Sequence, residues 1–111
     1  MNEYGLLSFK EYGEANGPSI TTLFSDTKYE NQDVIADYLD KGEVSMVAAS
    51  FEKDVVTDEY IKPARTKCIK TNGKYSWDGS LSYYIRKYNL RFPKSIEDAI
   101  LEDISNLEET T

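Results

Sequence analysis

The stretch Cys68-Ile-Lys-Thr-Asn-Gly-Lys-Tyr-Ser-Trp77, continued by Asp78-Gly-Ser-Leu-Ser-Tyr-Tyr-Ile-Arg-Lys-Tyr-Asn-Leu-Arg-Phe-Pro93, decides the fold. Asn72-Gly73 between two short runs is the strongest local hairpin signal, because both central residues of a tight primed turn need positive φ. A two-residue turn here sets Thr71 opposite Lys74 and Cys68 opposite Trp77. Strands over 65–71 and 74–77 follow from that turn. Trp77 then reads as a core residue, with Cys68 packed beside its indole. Asp78 is a candidate N-cap for the helix that comes next. Leu81, Tyr84, Ile85 and Tyr88 recur at i, i+3, i+4 and i+7, which is one apolar stripe. Pro93 breaks the chain. Ser95 with Asp98 resembles a capping box for a last helix, one-sided through Ile96, Ala99, Ile100, Ile104 and Leu107.

Working outward, residues 5–12 alternate loosely and read as a first strand, and Ile20–Phe24 as a second. A helix opens at Asn31 or Asp33, carries Val34, Ile35, Tyr38 and Leu39 on one stripe, and stops at Gly42. Residues 43–50 are short and almost continuously apolar, the pattern of a strand buried on both faces in mid-sheet. Residues 52–64 are polar and read as a loop. The expectation is one α+β domain over 1–111, with four to five mainly antiparallel strands and about three helices.

The chain has 111 residues, a net charge of -7, one Cys and no His. Without His, the Ser-His triads and most zinc sites are excluded. Neither GxGxxG nor a GKT/S run is present, so no phosphate loop is expected. Cys68 has no His partner to activate it. Asp54, Asp58 and Glu59 form the densest carboxylate group in a loop, and a small carboxylate-based enzyme would be built there. No cofactor or metal is expected, and the balance favours a protein that is not an enzyme. No apolar run approaches a membrane span and no signal-like segment opens the chain, so a soluble, cytoplasmic protein is expected.

Charge falls in blocks: -9 over residues 1–60, +8 over 61–94 and -6 over 95–111. The basic block interleaves aromatics (Lys70, Lys74, Tyr75, Trp77, Arg86, Lys87, Arg91), an arrangement that suits single-stranded nucleic acid. The net charge opposes it, since phosphate binding needs net cations. The other reading is an acidic face displayed to a basic protein partner. Its candidate contacts are Asp33, Asp37 and Asp40, spaced along one helix, with Asp54, Asp58 and Glu59.

The order of motifs carries a resemblance. A helix closing in Lys41-Gly42 leads to the apolar strand Val44 to Ala49. Thr71-Asn72-Gly73-Lys74-Tyr75-Ser76-Trp77 and the run Leu81 to Pro93 complete it. This resembles the immunity proteins of bacterial polymorphic and contact-dependent toxin systems, over roughly residues 36–97. Asn72 stands where Asp is usual, Phe92 where Leu is usual, and Ser95-Ile96 where Glu-Phe is common. The resemblance implies a small acidic antidote that binds one cognate toxin domain, often a nuclease. A phage-encoded acidic inhibitor that mimics nucleic acid is the alternative from a different class.

Overall fold

A computed structural model describes residues 19–72 and 76–109, the last two by their backbone only. The described elements are a 3-10 turn at Ile20–Leu23, α1 at Gln32–Asp40, β1 at Glu43–Phe51, β2 at Thr66–Thr71, β3 at Ser76–Asp78, α2 at Leu81–Tyr88 and α3 at Lys94–Glu109. The protein is α+β, with three helices and a three-stranded antiparallel sheet ordered β1-β2-β3. Three strands stand where four to five were expected. The expected first strand, residues 5–12, lies outside the described residues.

The core is helical. Ile35, Ala36 and Leu39 of α1 meet Leu81, Tyr84 and Ile85 of α2, and Leu90, Phe92, Ile96 and Ile100 close it from the far side. The α2 stripe is the one the spacing predicts, with Tyr88 half-buried at its end. On α1 the stripe turns by one residue. Val34 is exposed, and the polar Gln32 takes the buried place. Its amide donates to the Ile85 carbonyl at 2.7 Å and to Asn89 Oδ1 at 2.8 Å, and its oxygen accepts the Tyr29 N–H. A buried amide is tolerated because every strong group on it is paired. Asn89 itself, at φ 55°, supplies the left-handed residue that ends α2.

Ile20–Phe24 is a 3-10 turn and not a strand. Ser19 Oγ accepts the Thr21 N–H, and the Thr22 hydroxyl donates to the Ser19 carbonyl. Hydroxyl side chains that satisfy the backbone locally compete with ladder formation. Only Ile20 is buried there, and Phe24 stacks on Tyr88 with centroids 4.6 Å apart.

The hairpin is present but in another register. Thr71 pairs with Ser76, Lys70 with Trp77 and Ile69 with Asp78. The conformation of Gly73 itself lies outside the described residues. The shift is two residues, so every side chain keeps its face. Packing sets the register. Trp77 Nε1 donates to the Leu39 carbonyl at 3.2 Å, and an ideal Cβ at Gly42 would stand 2.5 Å from the indole. Gly42 is therefore needed for the close approach of Trp77. Cys68 pairs with Val47 and lies against Gly79, and Lys70 takes the place opposite Trp77 that was expected of Cys68. Asp78 is not the N-cap of α2, since Ser80 takes that place. Asp78 Oδ1 accepts the Ser80 N–H and hydroxyl two residues on. The expected Ser95–Asp98 box is also replaced. α3 opens at Lys94, whose ammonium pairs with Asp98.

β1 departs most from expectation. It is an edge strand of the described sheet, and all nine of its residues are exposed. Period analysis reports which side chains are apolar; it does not report what covers them. Among the described residues, Trp77 is the one strand residue in the hydrophobic core. Trp77→Ala should therefore cost about 3–5 kcal/mol in urea unfolding. Gly42→Ala should cost about 1–3 kcal/mol by overpacking the same contact. An unchanged midpoint in both variants would separate the indole from the stability of the fold.

Candidate functional site

Two groups of carboxylates were expected to face a partner, and α2 stands between them. Consecutive residues of α2 serve the two sides. Arg86 reaches α1, where its guanidinium meets Asp37 Oδ1 at 2.5 Å and Asp40 Oδ2 at 2.8 Å. Ser82 Oγ donates to the other Asp40 oxygen at 2.5 Å. Burial pushes the Asp40 carboxyl up, but the Ser82 and Arg86 bonds outweigh it and hold the carboxyl below its ordinary range. Lys70 Nζ adds a bond to the Asp40 carbonyl at 2.6 Å. Asp33 pairs with Lys28 at 2.8 Å. The three aspartates of α1 thus have cations beside them, which relieves the repulsion of like charges at i, i+4 spacing. Asp33 and Asp37 remain largely exposed; Asp40 is more enclosed.

On the other side, Asp54 is 2% exposed. Tyr83 and Tyr88 hydroxyls donate to its Oδ2 at 2.7 and 2.6 Å, and the Val56 and Thr57 N–H groups donate to Oδ1. Lys87 Nζ lies 3.6 Å away. Burial raises this carboxyl's pKa, and the four hydrogen bonds more than reverse that. The Tyr88 phenol, buried and donating to Asp54, is pushed up to about 12. Tyr84 completes the seam by accepting the Val55 N–H and donating to the Lys53 carbonyl. Asp54 ties the 52–64 loop to α2 and is not a surface contact. Asp58 and Glu59 sit exposed at the tip of this loop, with Asp58 at φ 61° and its N–H on the Asp54 carbonyl.

The basic aromatic block folds back on the chain. Besides Arg86 and Lys87, Arg91 grips Glu97 with two bonds at 2.9 and 3.1 Å and lies over the Tyr29 ring. Lys70 serves a carbonyl, and Trp77 is buried. Lys74 and Tyr75 lie outside the described residues. The rings that would stack bases are in the core or sealed against Asp54, so the described part of the block forms no stacking platform.

One cluster gave no usable signal in the sequence. Glu52 follows the apolar run of β1 and is 3% exposed, and Asp78 at the end of β3 is nearly as buried. Glu52 Oε1 has no hydrogen-bond partner among the described residues. Glu52 also lines a cavity of about 540 Å³ with Lys53, Asp58, Tyr60 and Lys67. Burial first, and then the neighbouring Asp78 charge, raise the Glu52 pKa; Lys67, Ser80 and Arg65 act against the shift. Burial likewise raises Asp78 against its bonds from Ser80. Among the described residues no group of three or more His, Cys, Asp or Glu could hold a metal ion, and no helix is long and apolar enough to cross a membrane.

No protein-family model matches the chain, and neither the curated proteins nor the solved structures contain a match.

Glu52 sets the sign of a pH effect. Its folded pKa is raised, so its contribution to stability is full below the ordinary carboxylate value and is lost as pH rises through the folded value. Glu52→Gln cannot ionise and escapes that loss. Relative to the parent, the variant should gain stability as urea melts move from about pH 4 to about pH 8. A difference independent of pH would mean that Glu52 ionises as freely folded as unfolded.

Proposed function

We propose that the chain is an immunity protein, which binds a cognate bacterial toxin domain, a nuclease, and neutralises it by covering its surface. One observation carries the reading. The cations of α2 and its exit are spent on the chain's own carboxylates, Arg86 on Asp37 and Asp40, Lys87 on Asp54 and Arg91 on Glu97. Three cations of the block that would have attracted phosphate are thereby paired with carboxylates, and Asp26, Glu30, Asp33, Asp58 and Glu59 stay exposed. An acidic rim of this kind steers a basic partner and raises its association rate. A nuclease domain, built to hold a polyanion, presents such a basic surface. The motif residues of the sequence resemblance also support the reading. Trp77, Leu81, Tyr84, Ile85, Leu90 and Phe92 all lie in one core, as the scaffold of a binding protein requires.

Asp33, Asp37, Asp58 and Glu59 are the proposed contacts. Asp40 and Asp54 are enclosed by internal bonds and hold the scaffold instead. The test is to identify the protein encoded beside this gene and, where it is a toxin domain, to measure its stopped-flow association at two ionic strengths. Added salt should slow association steeply. Charge reversal at Asp33 or Glu59 should cut the on-rate by about threefold to tenfold without moving the melting temperature. Reversal at Asp40 should lower stability, because it sets like charges against its neighbours and strands Arg86 and Ser82. A neighbouring toxin domain that does not bind, or rates indifferent to salt and to these substitutions, would overturn the proposal.

A further inference from the structure

β1 carries the composition of a covered strand, and no described residue covers it. Val44, Met46, Val47 and Phe51 are between 54% and 68% exposed. Its ladder to β2, irregular between Val44 and Met46 and again before Phe51, uses one edge only. Among the described residues no strand pairs with the other edge. Residues 44–51 contain no charge and no proline, the two common devices that keep an exposed edge from pairing. The opposite side of the sheet is closed differently. β3 has three residues, and Trp77 and Asp78 are buried. Among the described residues, β1 therefore offers one long unpaired edge.

We propose that β1 pairs with β1 of a second copy of this chain, antiparallel across a two-fold axis, so that two three-stranded sheets become one of six. Charge placement selects this occupant. The neutral run is bounded by Glu43 at one end and by Lys53 just past the other, and neither has an ion pair among the described residues. Lys53 rests over the Tyr60 ring, 5.0 Å from its centroid. The register is bounded too. Past Phe51 the edge is taken, because the Lys53 carbonyl accepts the Tyr84 hydroxyl. Before Glu43 the chain turns through Gly42 into α1. An incoming strand is thus confined to β1, whose midpoint is Val47. Antiparallel pairing about Val47 sets Glu43 beside Phe51 of the second copy and diagonal to its Lys53, within reach of long side chains, and the symmetry repeats this at the other end. A parallel copy would align Glu43 with Glu43 and Lys53 with Lys53. The symmetric arrangement pairs the free backbone groups of both strands and sets their apolar side chains side by side across the seam. It uses the same edge on both copies, so assembly closes at two.

Sedimentation velocity over a dilution series tests this. The parent chain should pass from dimer to monomer on dilution. Val47→Lys should be monomeric throughout with unchanged circular dichroism. Glu43→Lys and Lys53→Glu should each weaken the dimer by about tenfold, and the double swap should restore it to within about threefold. Should Val47→Lys fail to fold, hydrogen exchange on the unaltered chain decides, since amides of residues 44–51 should gain protection with concentration. A parent that is monomeric at every concentration overturns the proposal. So does a dimer indifferent to Val47→Lys, or a double swap weaker than either single one. Protection of β1 that arises only when the toxin domain is added would assign the edge to that partner and overturn it as well.

Discussion

The Arg86 guanidinium, placed between Asp37 and Asp40, is the contact on which the helical half depends. It joins α2 to α1 over a core of Ile35, Leu39, Leu81 and Ile85. Its geometry, together with Lys28 beside Asp33, explains why three aspartates can share one helix. The ion pairs are partly exposed, and exposed pairs contribute little to stability alone. Their larger effect is directional. With Arg86 turned to α1, the adjacent Lys87 projects toward Asp54 and the tyrosines that hold the 52–64 loop. One pair of adjacent residues on α2 therefore reaches both acidic segments.

The sheet is attached to this helical body by Trp77. The indole reaches under the end of α1, bonds the Leu39 carbonyl and fills the space left open by Gly42. β1 and β2 hang from β3 and contribute no buried residue to the core cluster among the described residues. That division explains how a modest apolar content can support a stable core and still leave an apolar strand at the surface. The apolar side chains of β1 are surplus to the helical core.

The helices, the burial of Trp77 and the α+β class were legible because each rests on periodicity or on a short local signal. The hairpin register was misread because Asn72-Gly73 is a local preference, and the fit of Trp77 against Leu39 and Gly42, more than thirty positions away, overrides it. β1 was placed mid-sheet because an apolar run looks the same whether covered or bare. The internal pairing of Asp40 was not seen because Ser82 and Arg86 are more than forty positions distant, and a single sequence does not show that pairing. Glu52 and Gln32 were missed for the same reason: each is a polar residue buried by partners far along the chain. Asp58 and Glu59 were placed correctly in a loop, since exposure of a polar loop needs no long-range partner.

The functional account turns on whether the basic block faces inward. Its cations are near enough in sequence to form a polyanion site, and Arg86, Lys87 and Arg91 are instead paired with the chain's own carboxylates. Fluorescence anisotropy of a labelled single-stranded oligonucleotide, titrated with the protein at low salt, measures this directly. The account predicts no saturable binding and no change in Trp77 emission. Salt-sensitive binding that quenches Trp77 and is lost in Arg86→Ala would contradict it.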